Sequence, residues 1–214
     1  MLGGSRRSAI AICAVLAMFV SAAACSEEQP RRVVTGPVPD SFRVAFETSR
    51  GTFVVAVNRA WAPHGADRFH ELAASGFFDD QRFFRVLSGY IAQFGAHGDP
   101  KMNKLWEGQK IPDDPRRESN ARGTVSFASD GPDSRIHQLF INLKDNPKLD
   151  AQGFVPIGRV VEGMSVVDAL NDDYGESPKY HLIATLGNPY LRRMFPKLDY
   201  IKTARVVGDS ARAP

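Results

Sequence analysis

The sequence has little cysteine and lacks the common motifs of metal and nucleotide chemistry. Only two cysteines occur among 214 residues, Cys13 and Cys25, which excludes a framework of disulfides. The five histidines are scattered, and none forms an HExxH pattern or a close set with cysteine. Neither a GxSxG elbow nor a P-loop is present. We therefore expect no metal site and no cofactor.

Charge of one sign is also not concentrated anywhere. The chain has 27 lysines and arginines against 24 aspartates and glutamates, and no basic cluster carries interleaved aromatic residues. We therefore expect no nucleic-acid partner. With 43% hydrophobic and 24% charged residues, the composition is that of a globular protein, long enough for one domain with appendages.

The N-terminus has the pattern of an export signal. Arg6 and Arg7 precede an uncharged apolar stretch over residues 8–24, which ends in small residues. The stretch falls short of the roughly 20 residues of a membrane-spanning helix. We expect residues 1–24 to be a signal peptide that is removed. An uncleaved N-terminal helix is the alternative.

Cys25 directly follows this stretch, so the mature chain would begin with its single cysteine. The segment Ala22-Ala23-Ala24-Cys25 resembles a bacterial lipoprotein box, although Leu, Val or Ile is more usual where Ala22 stands. We expect lipidation of Cys25 and a polar tether over residues 25–40. The protein is then exported by a bacterium, as a periplasmic or membrane-anchored lipoprotein. A freely secreted protein is the alternative.

The rest of the chain, residues 41–209, reads as one mainly β domain. Short runs with strand character occur at residues 42–47, 53–57, 82–87, 90–94, 125–128, 138–143, 155–161 and 201–207. The first two are joined by a predicted hairpin turn at residues 48–51. One helix is predicted from Pro63 to before Gly76 and a second over residues 164–171. Residues 96–121 are predicted to be a long surface loop.

An arginine lies in the predicted strand at residues 82–87. Alternation along a strand places Phe83, Arg85 and Leu87 on one face, with the charge between two apolar side chains. A buried guanidinium needs partners for its donors. From this stretch alone, the favoured interpretation of Arg85 is a rim arginine that pairs with a carboxylate or reaches water.

Two long motifs carry a resemblance to the cyclophilin family. They are FxRVxxGYxxQxG at residues 83–95 and GTxxFAxxGPxxxxxQxF at residues 123–140, and Leu149-Asp150 and residues 158–164 follow in the family's order. The resemblance spans about residues 42–207. It implies a closed eight-stranded antiparallel barrel with two flanking helices. It also implies peptidyl-prolyl cis-trans isomerase activity on proline-containing polypeptides, and we expect a monomer.

The resemblance also assigns roles to residues. Arg85 matches the catalytic arginine, and Gln93 is expected to orient it. The positions expected to bind substrate are Phe83, Tyr90, Ile91, Ala128, Ser129, Gln138, Phe140, Leu149 and Phe154. The chain departs from the family pattern at Phe84 and Phe154, where histidine is common, and at Lys148, where tryptophan is common.

These departures leave two other functions open. One is a non-catalytic module or chaperone of the cell envelope that holds proline-containing segments without turnover. The other is a scaffold for the loop at residues 96–121. The carboxylate pairs Asp113-Asp114 and Asp172-Asp173 are expected in solvated turns.

Overall fold

The computed structural model describes Met1 and residues 36–208. The predicted signal peptide, the predicted lipidation site Cys25 and most of the predicted tether lie outside the described residues, as does residue 209. The nine strands are β1 (Ser41–Thr48), β2 (Gly51–Asn58), β3 (Gln81–Arg82), β4 (Arg85–Leu87), β5 (Ile91–Phe94), β6 (Thr124–Phe127), β7 (Leu139–Asn142), β8 (Pro156–Glu162) and β9 (Tyr200–Val207). The helices are α1 (Pro63–Ala74), α2 (Pro100–Trp106), α3 (Pro147–Ala151), α4 (Met164–Asp168) and α5 (Tyr180–Met194). No helix in residues 36–208 is long and apolar enough to cross a membrane.

All nine strands belong to one antiparallel sheet in the order β3-β9-β1-β2-β8-β6-β7-β5-β4. The predicted hairpin is confirmed, because β1 pairs with β2 from Ser41↔Asn58 to Thr48↔Gly51. The two edge strands, β3 and β4, are separated along the chain only by Phe83 and Phe84. The sheet therefore has to curl until its edges meet, and we call this curled sheet the barrel.

This arrangement confirms the mainly β, cyclophilin-like class but corrects two details. The sheet has nine strands. Its strand pairing runs from the edge strand β3 to the edge strand β4, and it does not close into a ring of eight strands. The single strand predicted at residues 82–87 is wrong. It is two short strands on opposite edges of the sheet, because the chain leaves β9 after Arg82 and joins β5 at Arg85.

The two predicted helices are confirmed as α1 and α4. Helix α1 begins at Pro63 and ends at Ala74, and Gly76 follows it with a positive φ of 71°. There Gly76 N donates to Ala73 O and Phe77 N to Leu72 O, the paired bonds of a Schellman cap. Helix α4 is shorter than predicted and ends at Asp168.

The prediction of only two helices is wrong, because α2, α3 and α5 were not anticipated. Helix α2 interrupts the predicted loop at residues 96–121. Its start is stabilised by Asp99, whose side chain accepts a hydrogen bond from Lys101 N, and by Pro100 in the first turn. The predicted loop therefore contains a capped helix.

The interior of the barrel is filled by phenylalanine rings. Phe46 stacks on Phe53 with centroids 4.8 Å apart, and Phe94 contacts Phe46 and Phe83 edge-on. These side chains alternate with exposed residues along β1 and β2, so their burial follows from strand geometry. We call this cluster the barrel core.

A second, smaller cluster lies under α5. Its buried members are Phe84, Ala96, Ile183, Leu191 and Leu198. We call this the second core. Phe83 and Phe84 are adjacent in the chain, yet Phe83 belongs to the barrel core and Phe84 to the second core. The link between the two sheet edges thus contributes one ring to each core.

Helix α5 is bent where it meets the chain just before α2. Gly187 is non-helical, with φ 63° and ψ −151°, and Asn188 N donates to Gly98 O over 2.8 Å. A Cβ at Gly187 would lie 2.1 Å from that same oxygen, so only glycine fits this approach. The helix is in effect two short helices that meet at this contact.

The segment between Asn171 and Asp199, which carries α5, begins and ends at one place. Asn171 N donates to Asp199 Oδ2 over 2.8 Å, while Arg50 Nε and Ser49 Oγ bind the same carboxylate from the β1–β2 turn. Asp199 therefore ties both ends of residues 172–198, which we call the 172–198 segment, to one hairpin.

One of the carboxylates expected in a solvated turn is buried. The Asp114 side chain is only 1% exposed and pairs with Arg135 Nη2 at 3.0 Å. It also accepts hydrogen bonds from the backbone N–H groups of His64 and Gly65 at the start of α1, each 2.9 Å long. The expectation was wrong because Asp114 accepts hydrogen bonds from the free N–H groups in the first turn of a helix 50 residues earlier in the chain.

Candidate active site

A cleft of about 370 Å³ opens on the side of the barrel formed by β4, β5 and β7, next to α3. Its size is within the range of small-ligand sites. The residues that line it are Arg85, Tyr90, Ile91, Gln93, Ala128, Ser129, Asp130, Ser134, Ile136, His137, Gln138, Phe140, Leu149, Gln152, Phe154 and Tyr180. This set contains all but one of the site residues predicted from the sequence.

One wall of the cleft is apolar. Ile91, Phe140 and Leu149 form a separate cluster of buried side chains, each no more than 4% exposed. Phe154 completes it by packing edge-on against Phe140, with ring centroids 5.4 Å apart. The wall has the size and polarity to hold a small apolar ring.

A chain of hydrogen-bonded polar side chains, the polar wall, lies beside the apolar wall and lines the same cleft. Arg85 and Gln93 are directly opposite each other in the β4–β5 pair, and Arg85 Nη1 donates to Gln93 Oε1 over 3.2 Å. Gln93 Nε2 in turn donates to Gln138 Oε1 over 3.0 Å. Gln93 thus hydrogen-bonds Arg85 directly, and its role in orienting the guanidinium stays a prediction.

Two further residues, Glu176 and Tyr180, lie at the ends of this chain. Glu176 accepts from Arg85 Nε at 2.8 Å and also from Nη2. The Arg85 guanidinium holds the pKa of Glu176 below its usual value, mainly through the hydrogen bonds. At the other end, the Tyr180 ring contacts His137, the neighbour of Gln138 in the chain, and burial raises the pKa of Tyr180. Sequence reasoning missed both residues.

Phe83 is the predicted site residue that the structure does not bring to the cleft. Its side chain is fully buried in the barrel core, between the rings of Phe53 and Phe94. Its placement beside Arg85 assumed one continuous strand. Because the strand breaks at Phe83 and Phe84, strict alternation does not carry across, and Phe83 faces inward.

The remaining predicted residues lie at the rim. Tyr90 and Ala128 are partly buried against the apolar wall. Ala128 and Ser129 follow the end of β6, and Ala128 N donates to Gln138 O over 2.9 Å. This bond holds the backbone of residues 128 and 129 at the edge of the cleft.

Behind the apolar wall lies a ladder of buried asparagines. Asn120 binds Asp150 and Phe154 O, Asn142 donates to Thr124 Oγ1, and Asn146 donates to Asn142 Oδ1 and Tyr90 O. Each side-chain amide donates its N–H groups to these acceptors, so none of these buried amides is left without a hydrogen bond. The ladder fixes α3 and Phe154 relative to β5. Sequence reasoning did not identify it, because the asparagines show no local pattern.

His137 lies at the junction of the cleft with the region of α2 and α5. Burial lowers the pKa of His137 to about 4, although its Nδ1 contact with Gly95 O acts in the opposite direction. The ring is therefore neutral at neutral pH, with Nδ1–H donating to the carbonyl. Within residues 36–208 no group of three or more His, Cys, Asp or Glu side chains is placed to hold a metal ion.

Comparison with known proteins connects this cleft to a family. The family model described as cyclophilin type peptidyl-prolyl cis-trans isomerase matches residues 43–186. The chain belongs to this family. A peptidyl-prolyl cis-trans isomerase-like 1 of Aspergillus niger is 32% identical over 130 residues, which cover 59% of this chain and 80% of the relative. Peptidyl-prolyl cis-trans isomerase A of Dickeya dadantii is 32% identical over 136 residues, covering 61% and 72%.

A solved cyclophilin has the same fold. The crystal structure of a Cryptosporidium parvum cyclophilin type peptidyl-prolyl cis-trans isomerase superposes with a TM-score of 0.61 at 20% identity, covering 79% of this chain and 99% of that one. The family and the enzyme class predicted from the sequence, a peptidyl-prolyl cis-trans isomerase, are thus confirmed.

The three departures from the cyclophilin pattern have different surroundings. Phe84 is buried in the second core, Phe154 packs on Phe140 in the apolar wall, and Lys148 is exposed on α3. Phe84 therefore serves packing under α5, while Phe154 adds apolar surface to the cleft of this cyclophilin.

Proposed function

We propose that this cyclophilin isomerises X-Pro bonds with Arg85 as the catalytic residue and Gln93 as the residue that orients it. The observation that carries the proposal is that the polar wall and the apolar wall lie side by side in one cleft. The proline ring would rest against Ile91, Phe140 and Leu149, which places its nitrogen toward the guanidinium of Arg85. A related Cryptosporidium parvum cyclophilin was crystallised in the presence of the dipeptide Ala-Pro, which supports proline as the ligand.

The chemistry requires only that amide resonance be weakened. Rotation about an amide faces a barrier of about 18–20 kcal/mol, and uncatalysed X-Pro exchange takes about 10–100 s at 25 °C. In the twisted transition state the nitrogen regains a lone pair. A fixed N–H donor aimed at that lone pair stabilises the transition state more than the planar ground state.

The polypeptide rotates on the side that precedes the proline. The backbone next to the cleft at Ala128 and Ser129 would pair with the substrate chain, and Tyr90, Gln138 and Phe154 would border it. Rotation changes no covalent bond, so the reaction needs no proton transfer and no external reactant.

We further propose that the enzyme acts on exported polypeptides outside the cytoplasm, as a monomer. The support is the sequence alone, with Arg6 and Arg7 before an apolar stretch and Cys25 after it. Lipidation of Cys25 would anchor the domain to a membrane through the tether at residues 25–40. Mass spectrometry of the mature N-terminus tests this, and an unmodified chain that begins upstream of Cys25 would contradict it.

The catalytic proposal is tested by exchange NMR on a proline tetrapeptide with the wild-type protein. We expect catalytic amounts of enzyme to raise the exchange rate well above its uncatalysed value. The competing function, a module or chaperone that only holds proline-containing segments, predicts peptide-induced shifts at Ile91 and Phe140 with an unchanged exchange rate. If the peptide changes no chemical shift at these residues, the result would instead favour a barrel that only serves as a scaffold for the loop at residues 96–121.

A further inference from the structure

The 172–198 segment reaches the proposed catalytic arginine. Glu176 accepts hydrogen bonds from Nε and Nη2 of Arg85, 91 residues away in the chain. The Arg85 side chain is 27% exposed and that of Glu176 is 60% exposed. The contact thus lies at the mouth of the cleft, where water reaches the carboxylate but only part of the guanidinium.

We propose that Glu176 is a positioning residue for Arg85 in the isomerase reaction. This inference rests on the proposed catalytic role of Arg85. Glu176 would hold the guanidinium at one angle, with its free donors available in the cleft beside the apolar wall. Glu176 itself would not touch the prolyl nitrogen.

Counting donors supports positioning over blocking. A guanidinium has five N–H donors. Glu176 takes one on Nε and one on Nη2, and Gln93 takes one on Nη1. One donor remains on each of Nη1 and Nη2. The carboxylate and the amide thus fix the plane of the group and leave its outer end available to a substrate.

Glu176 is itself held in place by its own segment. Ser177 N donates to Tyr174 O over 2.9 Å, and Lys179 Nζ donates to Glu176 O over 3.1 Å. The Tyr174 ring packs against the second core and contacts Phe195 edge-on. The turn that carries Glu176 is therefore fixed by the packing under α5.

The same segment meets the polar wall a second time. Tyr180, at the start of α5, lines the cleft, and its ring contacts His137, the neighbour of Gln138 in the chain. The hydrogen-bonded chain runs from Glu176 through Arg85 and Gln93 to Gln138, so the 172–198 segment supplies one of its ends and an aromatic ring beside the other. Such bracketing restricts the rotation of Arg85 and Gln93 more than a single contact would.

The test compares Glu176→Ala and Glu176→Gln with the wild type. Ion pairs that water reaches contribute little, so we expect Glu176→Ala to lower kcat about two- to fivefold with KM nearly unchanged. Glu176→Gln keeps an acceptor oxygen and should recover part of the loss. Asp172→Ala, exposed in the same segment, is the matched control and should keep wild-type kcat.

NMR of the arginine Nε–H groups gives a readout independent of activity. In the wild type the Arg85 Nε–H signal should be protected from solvent exchange, and Glu176→Ala should remove that protection. In an Arg85→Ala background, Glu176→Ala should cause no further loss of activity, because the group it positions is absent. If Glu176→Ala lowers the activity of the Arg85→Ala protein by the same factor as it lowers that of the wild type, the inference would be overturned.

An unchanged kcat in Glu176→Ala would also overturn it, as would retained Nε–H protection. These results differ from failure of the proposed function. If Arg85→Ala is fully active, the catalytic role of Arg85 is wrong. If Arg85→Ala is impaired while Glu176→Ala is not, only the role of Glu176 is wrong.

Discussion

The barrel core and the second core use the same kinds of side chain but differ in what they support. The barrel core collects residues from strands spread over the whole domain and carries the backbone of β4, β5 and β7, where the cleft lies. The second core collects residues from the strand link at Phe84 and from the 172–198 segment. The barrel core therefore determines whether the cleft forms. The second core determines how the side chains of the 172–198 segment that reach the cleft, Glu176 and Tyr180, are held.

This difference leads to distinct effects of mutation. Damage to residues that tie the barrel together should unfold the domain. Damage to the second core should loosen α5 and reduce activity modestly, while the barrel stays folded.

The largest expected effect comes from Asp114→Ala. The change leaves Arg135 buried beside only one carboxylate, Asp113, and removes the acceptor at the start of α1. We expect the free energy of unfolding to fall by about 3–5 kcal/mol. Urea denaturation measures it. Asp113→Ala, whose side chain is 43% exposed, is the control and should cost less than about 1 kcal/mol. Equal losses would contradict the role of the buried pair.

The next effect tests whether the two cores are separate. Phe84→Ala should create a cavity in the second core and lower the free energy of opening α5 by about 3–5 kcal/mol. Hydrogen exchange should then accelerate in α5 while amides of β1 and β2 keep their protection. Activity should fall to the level of Glu176→Ala, because Glu176 is no longer held.

Phe84→Leu keeps most of the apolar volume and should cost less than about 1.5 kcal/mol. If β1 and β2 lose protection together with α5 in Phe84→Ala, the two cores unfold as one unit and the comparison fails.

Arg85→Ala should separate activity from stability. Loss of one preorganised donor costs about 10²–10³ in rate, so we expect kcat/KM to fall by that factor while the melting temperature stays near that of the wild type. Arg159→Ala, an exposed arginine on β8, should leave both unchanged. A fully active Arg85→Ala protein would refute the proposed mechanism.

The effect that is smallest at neutral pH concerns His137, between the two regions. Burial, with smaller contributions from the nearby Arg68 and His97, lowers its pKa to about 4. The unfolded chain, with a histidine pKa of about 6.5, binds a proton that the folded protein does not. Stability is therefore complete above pH ~6.5 and falls as pH drops toward ~4, by up to about 1.4 kcal/mol per unit.

Urea denaturation at several pH values measures this slope. The stability of His137→Gln should depend less on pH than that of the wild type between pH ~4 and ~6.5. Parallel curves for the wild type and His137→Gln would contradict the assignment.

Sequence reasoning succeeded in placing Ile91 and Gln93, which the family resemblance assigned to the site and which both line the cleft. They are two residues apart on β5, so one strand turns both to the same side, and Gln93 pairs with Arg85 across the strands. It failed at Phe83, because a break between two edge strands leaves no local signal. It also failed at Asp114, whose partners are distant in the chain.

The 172–198 segment was missed for a different reason. Its helical period is interrupted by Gly187 and Pro189, which read as loop residues until the bend against Gly98 is seen. Glu176 lies in a turn, and nothing in its neighbourhood points to an arginine 91 residues earlier. Only tertiary packing brings the two together.

The clamp at Asp199 has a consequence for how this chain could be re-engineered. Since Asn171 and Asp199 touch, everything between them leaves the barrel and returns at a single point. The length and sequence of the 172–198 segment can therefore vary without shifting the register of β8 against β2 or of β9 against β1. A different segment between these two residues would present new side chains to Arg85 while keeping the same apolar wall.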